Sequence, residues 1–141
     1  MTAAIRPHHS AIVCDASVLA ALVFGEPQSD QALVLLRSRR LFAPPLLRHE
    51  LAQIAVSKLN SGTQDASLIE TAFAESLRVP IRTIAPSWPE VVRLAREHRL
   101  SAYDASYLQL ALALDVPLAT LDERLARAAQ ELGILAEPGT S

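Results

Sequence analysis

A four-residue apolar run, Ala11-Ile12-Val13-Cys14, stops at Asp15 and passes almost at once into a Leu- and Ala-rich stretch from Ser17 to Phe24. A strand with no polar alternation is buried on both faces, as happens inside a parallel sheet covered by helices. The rest of the chain repeats this alternation. After Gly25-Glu26-Pro27 the pattern predicts a helix from about Ser29 to Arg39, a small strand Leu41-Phe42-Ala43, and a helix from Leu46 to Leu59 whose apolar stripe is flanked by Glu50. Ser61-Gly62-Thr63 breaks the chain before an amphipathic helix over about Gln64 to Leu77. An edge strand at Pro80–Ile84 and a helix opened by Ser87 and Pro89 follow, running to about His98. Ser101 to Leu114 is apolar on almost every side and reads as a central helix; Val116 to Thr120 is a second buried strand, and Asp122-Glu123-Arg124-Leu125 starts the last helix. A final short strand after Gly133 precedes a frayed end. The expectation is a single domain over residues 1–141, with an ordered core at about 10–136. Its fold class is α/β, a three-layer α/β/α sandwich around a central parallel sheet.

Four carboxylates, Asp15, Glu50, Asp104 and Asp122, sit beside or inside apolar stretches. A buried Asp or Glu needs a partner, and an ionised carboxylate that loses water without compensation costs several kcal/mol, roughly. No Lys stands near any of the four in sequence. A divalent cation with oxygen ligands would compensate them together. In parallel α/β folds ligands bind beyond the carboxyl ends of the strands, which is where Asp15 and Asp122 fall; Glu50 and Asp104 lie near helix starts that follow turns. Each has a local alternative. Asp15 fits an N-cap, Ser101-x-x-Asp104 and Thr120-x-x-Glu123 fit capping boxes, the second placing Asp122 in a first turn, and Glu50 fits a solvated flank.

Composition narrows the classes. The formal net charge of −2 lacks the basic excess of many nucleic-acid binders, although twelve of the thirteen cations are Arg, with Lys58 the exception. Cys14 is the single cysteine, so an intramolecular disulfide and a thiolate zinc cluster are both excluded, and a reducing cytoplasm fits. The first ten residues contain no apolar core of the length a signal peptide needs, and no segment approaches 18 uninterrupted apolar residues, so the expected location is cytoplasmic, without membrane. The four glycines are dispersed, which leaves no phosphate loop. His8, His9, His49 and His98 show no metal-site or triad spacing and read as surface residues, and Trp88 reads as a packing residue at a helix start. Arg37, Arg39 and Arg40 form the densest basic cluster.

The run Ile12-Val13-Cys14-Asp15-Ala16-Ser17-Val18-Leu19, the helix carrying Glu50 after Pro44-Pro45, Tyr103-Asp104-Ala105-Ser106-Tyr107-Leu108, and Leu118-Ala119-Thr120-Leu121-Asp122-Glu123-Arg124-Leu125 occur in an order and spacing that resemble a PIN domain. More closely they resemble the VapC toxins of bacterial type II toxin–antitoxin systems. The likeness covers nearly the whole chain. It implies that Asp15, Glu50, Asp104 and Asp122 form an acidic quartet that binds one or two Mg²⁺ or Mn²⁺ ions and cuts RNA. Asp15 and Asp104 are the surest ligands, and Ser17 and Thr120 are hydroxyls that either support the site through hydrogen bonds or cap helices. Gln53 stands where relatives often carry Asn. The resemblance also implies a homodimer and a cognate VapB-like antitoxin. Two other readings are a PIN nuclease of housekeeping RNA maturation and a catalytically silent PIN-like binding module. A haloacid-dehalogenase phosphatase would need Asp at position 17, where this chain has Ser17.

Overall fold

The computed structural model describes residues 10–137, so His8 and His9 lie outside the described residues. Among the described residues there are four strands, each followed by one or two of seven helices. In chain order they are β1 (Ala11–Cys14), α1 (Ala16–Val23), α2 (Ser29–Leu36), β2 (Arg40–Ala43), α3 (Leu47–Ser61), α4 (Ala66–Ser76), β3 (Ile81–Thr83), α5 (Trp88–His98), α6 (Ala102–Leu114), β4 (Leu118–Ala119) and α7 (Glu123–Glu131). The sheet order is β3-β2-β1-β4 and every pairing is parallel. β1 therefore has a neighbour on each side, and all four of its residues are buried, as an unalternating apolar run requires. β3 lies at the sheet edge, and the expected last strand is a single parallel bridge between Leu118 and Leu135.

Helices cover the sheet in two groups, giving the three-layer α/β/α arrangement. α1 packs with α2, α3 and α4, whereas α6 lies against β1, β4, α5 and α7. α6 is buried at every position from Ala105 to Ala111, which explains why its sequence shows no polar face. Its Gln109 accepts the backbone N–H of Ser87 through Oε1 at 3.1 Å, tying the start of α5 to the core. Among the described residues no helix is long and apolar enough to cross a membrane.

Local chemistry sets the boundaries. Gly62 ends α3 in the left-handed conformation that glycine adopts without strain. α2 ends at Leu36, earlier than the expected Arg39, because the chain turns extended at Arg37 and left-handed at Ser38. Trp88 is 60% exposed at the start of α5, so the expectation of a packing residue is corrected. His49 is exposed and His98 partly so, with Nδ1 of His98 at 3.6 Å from Glu131.

Candidate active site

Strand register builds the first part of the site. Cys14 pairs with Ala119, so the residues that follow, Asp15 and Thr120, leave the carboxyl ends of β1 and β4 side by side. The Asp15 backbone N–H donates to the Ala119 carbonyl at 3.1 Å. Asp15 is 5% exposed and its carboxylate accepts three hydrogen bonds: Oδ1 accepts the Ser17 hydroxyl at 2.6 Å and the Val18 N–H at 3.2 Å, and Oδ2 accepts the Thr120 hydroxyl at 2.5 Å. The Val18 bond makes Asp15 the N-cap of α1. Ser17 Oγ in turn accepts the Leu121 N–H, and Thr120 Oγ1 accepts the Asp122 N–H. One hydroxyl network thus locks the loop after β4 to the end of β1. Ser17 and Thr120 act as bridges, and neither caps a helix.

Asp122 is itself the N-cap of α7, with Oδ2 accepting the Leu125 N–H at 2.8 Å. This corrects the expectation that Thr120 opens a capping box and that Asp122 lies inside the first turn. The helix starts two residues later than a Thr120 cap would give, at Glu123, because the Asp122 side chain reaches the free N–H three residues on. Ser101 does cap α6, accepting the Asp104 N–H through Oγ, which leaves Asp104 in the first turn. Glu50 stands in the first turn of α3, half-buried, and its Oε1 accepts the hydroxyl of Tyr107 at 2.5 Å.

Electrostatics links the four carboxylates in sequence. Burial raises the Asp15 carboxyl to about 6, against the pull of its three hydrogen-bond donors, and the Glu50 charge pushes the same way. Glu50 is raised by burial and then by Asp104, despite the Tyr107 donor. Asp104 is raised by burial and then by Asp122. Each acid therefore feels the next. None of them takes part in an ion pair among the described residues, although the charge of Arg124 acts on Asp104 in the lowering direction.

The carboxylates sense one another along one sheet edge without forming a closed ring: among the described residues no three His, Cys, Asp or Glu side chains stand as a ready chelate. Asp15 and Asp122 each give one carboxylate oxygen to a helix cap. The donor set nevertheless fits a hard divalent cation, being all oxygen, mutually repelling and unneutralised by ion pairs. Asp15 Oδ2, with one hydrogen bond, keeps a lone pair for such a ligand.

Reading the sequence missed Tyr107, whose ring is 1% exposed and whose phenol is pushed well above its ordinary range by burial and by Glu50. It stays protonated and donates. Tyr107→Phe is expected to cost about 2 kcal/mol at pH 7, since a half-buried carboxylate loses a charge-assisted bond while the packing ring remains. Urea unfolding reads the loss, and an unmoved midpoint would show that water replaces the phenol at no cost.

Known proteins carry the same architecture. Over 120 residues the chain is 28% identical to Ribonuclease VapC3 of Pyrobaculum aerophilum, an alignment covering 82% of this chain and 92% of that one. The crystal structure of PAE2754 from the same organism superposes with a TM-score of 0.68 at 24% identity, covering 84% of this chain and 78% of the other. VapC20 of Mycobacterium tuberculosis, a toxin that cleaves the sarcin–ricin loop, superposes with a TM-score of 0.58 at 17% identity, over 83% of this chain and 94% of its own. Residues 12–131, from the first buried strand to the end of α7, match the PIN domain family, and the chain belongs to it.

Proposed function

We propose that this protein is a metal-dependent endoribonuclease and the toxin of a toxin–antitoxin pair. The observation that carries this reading is the run of electrostatically coupled acids, Asp15 to Glu50 to Asp104 to Asp122, along the carboxyl edge of the sheet. The name of the 28% identical ribonuclease supports it over nearly the full length of both chains. Asp15, Asp104 and Asp122 would hold Mg²⁺ or Mn²⁺, one or two ions, with Glu50 ligating directly or through water.

When bound, such an ion neutralises phosphate oxygens and makes water acidic enough to attack near neutral pH. The protein's own residues supply the positions. Ser17 and Thr120 hold Asp15 in one rotamer from opposite sides, and Thr120 also fixes the backbone of Asp122. Tyr107 holds Glu50. Hydrolysis adds water oxygen to phosphorus and breaks the bond to the 3′-oxygen, leaving a 5′-phosphate and a 3′-hydroxyl. Four intact carboxylates that repel one another argue against a silent binding module, which would gain nothing by keeping them together.

Within this reading the chain is a single cytoplasmic domain that forms a homodimer and is held inactive by a VapB-like antitoxin. Rickettsia felis VapBC2, solved bound to a promoter DNA fragment, shares the fold at 13% identity, with a TM-score of 0.54 over 84% of this chain and 92% of that one. Controlled expression in a bacterial host tests the toxin role. Wild-type protein is expected to arrest growth and the Asp104→Asn variant to leave it unaffected. Normal growth with an active wild-type nuclease would instead favour a housekeeping role in RNA maturation.

A further inference from the structure

A polyanion approaching four carboxylates is repelled, so an RNA strand needs positive charge close to the cut. α7 supplies it. Arg124 and Arg127 are three residues apart, share one helix face, and line with Asp104, Asp122 and Glu123 a depression of about 400 Å³. Both are exposed, and neither makes an ion pair or side-chain hydrogen bond among the described residues. Arg124 also sits in the first turn of α7, where the helix dipole disfavours a cation, so helix stability does not account for its place. Arg93 shows the contrast: on α5 it pairs with both Glu90 and Glu97.

We propose that Arg124 and Arg127 form a phosphate-binding subsite that seats the RNA backbone beside the carboxylate edge. The proposal rests on the ribonuclease reading above. A planar guanidinium donates two parallel hydrogen bonds to phosphate oxygens, and two of them one helical turn apart suit one phosphate or two adjacent ones. Another arginine-lined depression, about 570 Å³ and lined by Arg39, Arg40 and Arg82 with Phe42 and Pro80, lies at the amino ends of β2 and β3. It is at the opposite edge of the sheet, away from the carboxylates.

The test is anisotropy titration of a labelled single-stranded RNA oligonucleotide over a series of salt concentrations, with EDTA present so that binding is read without cleavage. R124A/R127A is expected to bind at least about tenfold more weakly, with a log–log salt slope shallower by about 1.4, which corresponds to two lost phosphate contacts on a single strand. R124K/R127K keeps the charges and is expected to keep the slope while losing part of the affinity. Circular dichroism and melting confirm that α7 still folds. Wild-type affinity and slope in R124A/R127A would overturn the subsite, as would a loss confined to R39A/R40A/R82A. Absence of RNA binding by the wild-type protein itself would also overturn the subsite, whereas the ribonuclease reading stands or falls separately on cleavage of the same oligonucleotide with Mg²⁺ or Mn²⁺ added.

Discussion

Asp104→Asn is expected to abolish RNA cleavage, with a rate loss on the order of a thousandfold or more, as when a group that stabilises transition-state charge is removed. The fold is expected to survive. Asp104 is bonded to the Ser101 cap through its backbone N–H, and that bond is untouched by the substitution. Asn is isosteric, and removing the charge relieves the repulsion that Asp104 exerts on Glu50 and receives from Asp122. The melting temperature should therefore be unchanged or slightly higher. A folded variant that cuts a labelled RNA at the wild-type rate would show that this carboxylate has no part in the chemistry.

Asp15→Asn is expected to abolish cleavage as well, and to change the pH dependence of stability of the metal-free protein. The folded carboxyl is raised to about 6 from an ordinary 3.8, so folding favours its protonated form. The stability that this preference contributes is fully present below pH 3.8 and is lost as pH rises through about 6. The difference corresponds to about 3 kcal/mol. An Asn at this position keeps an acceptor for Ser17 and Val18 and presents an amide N–H toward the Thr120 oxygen, which has a lone pair to receive it. The variant should thus match or exceed wild-type stability at pH 7, and its urea midpoint should vary much less between pH 4 and pH 7. Glu50 and Asp104, shifted in the same direction, leave a smaller residual slope. A variant that retains the full wild-type slope would place the titration elsewhere. For the role proposed for Asp15, a carboxylate that destabilises the empty protein is the usual trade of stability for function.

What the sequence made legible was local. The buried run Ala11–Cys14, its stop at Asp15 and the Ser101 cap with Asp104 three residues on all depend on near neighbours, and the structure has them as expected. The parallel sheet followed from apolar runs without alternation. Contacts between distant segments were not legible. Thr120 meets Asp15 across 105 residues because β1 and β4 are adjacent in a particular register, which no spacing rule discloses. Tyr107 reaches Glu50 across 57 residues, and in sequence its ring looked like any other core position of α6. The Thr120-x-x-Glu123 pattern misled for a related reason: Asp122 was the better cap, and the Thr120 hydroxyl was already committed to Asp15. Nothing in the sequence singled out Arg124 and Arg127, which the fold sets beside Asp104.

The most direct measurement incubates the purified protein with total RNA in Mg²⁺, in Mn²⁺ and in EDTA, alongside Asp104→Asn, and maps every new end by sequencing. A carboxylate site that works through a divalent cation predicts discrete cuts bearing 5′-phosphates, present with either metal and absent both in EDTA and in the variant. Cuts that persist undiminished in EDTA, or that the variant makes as well as the wild type, would contradict it.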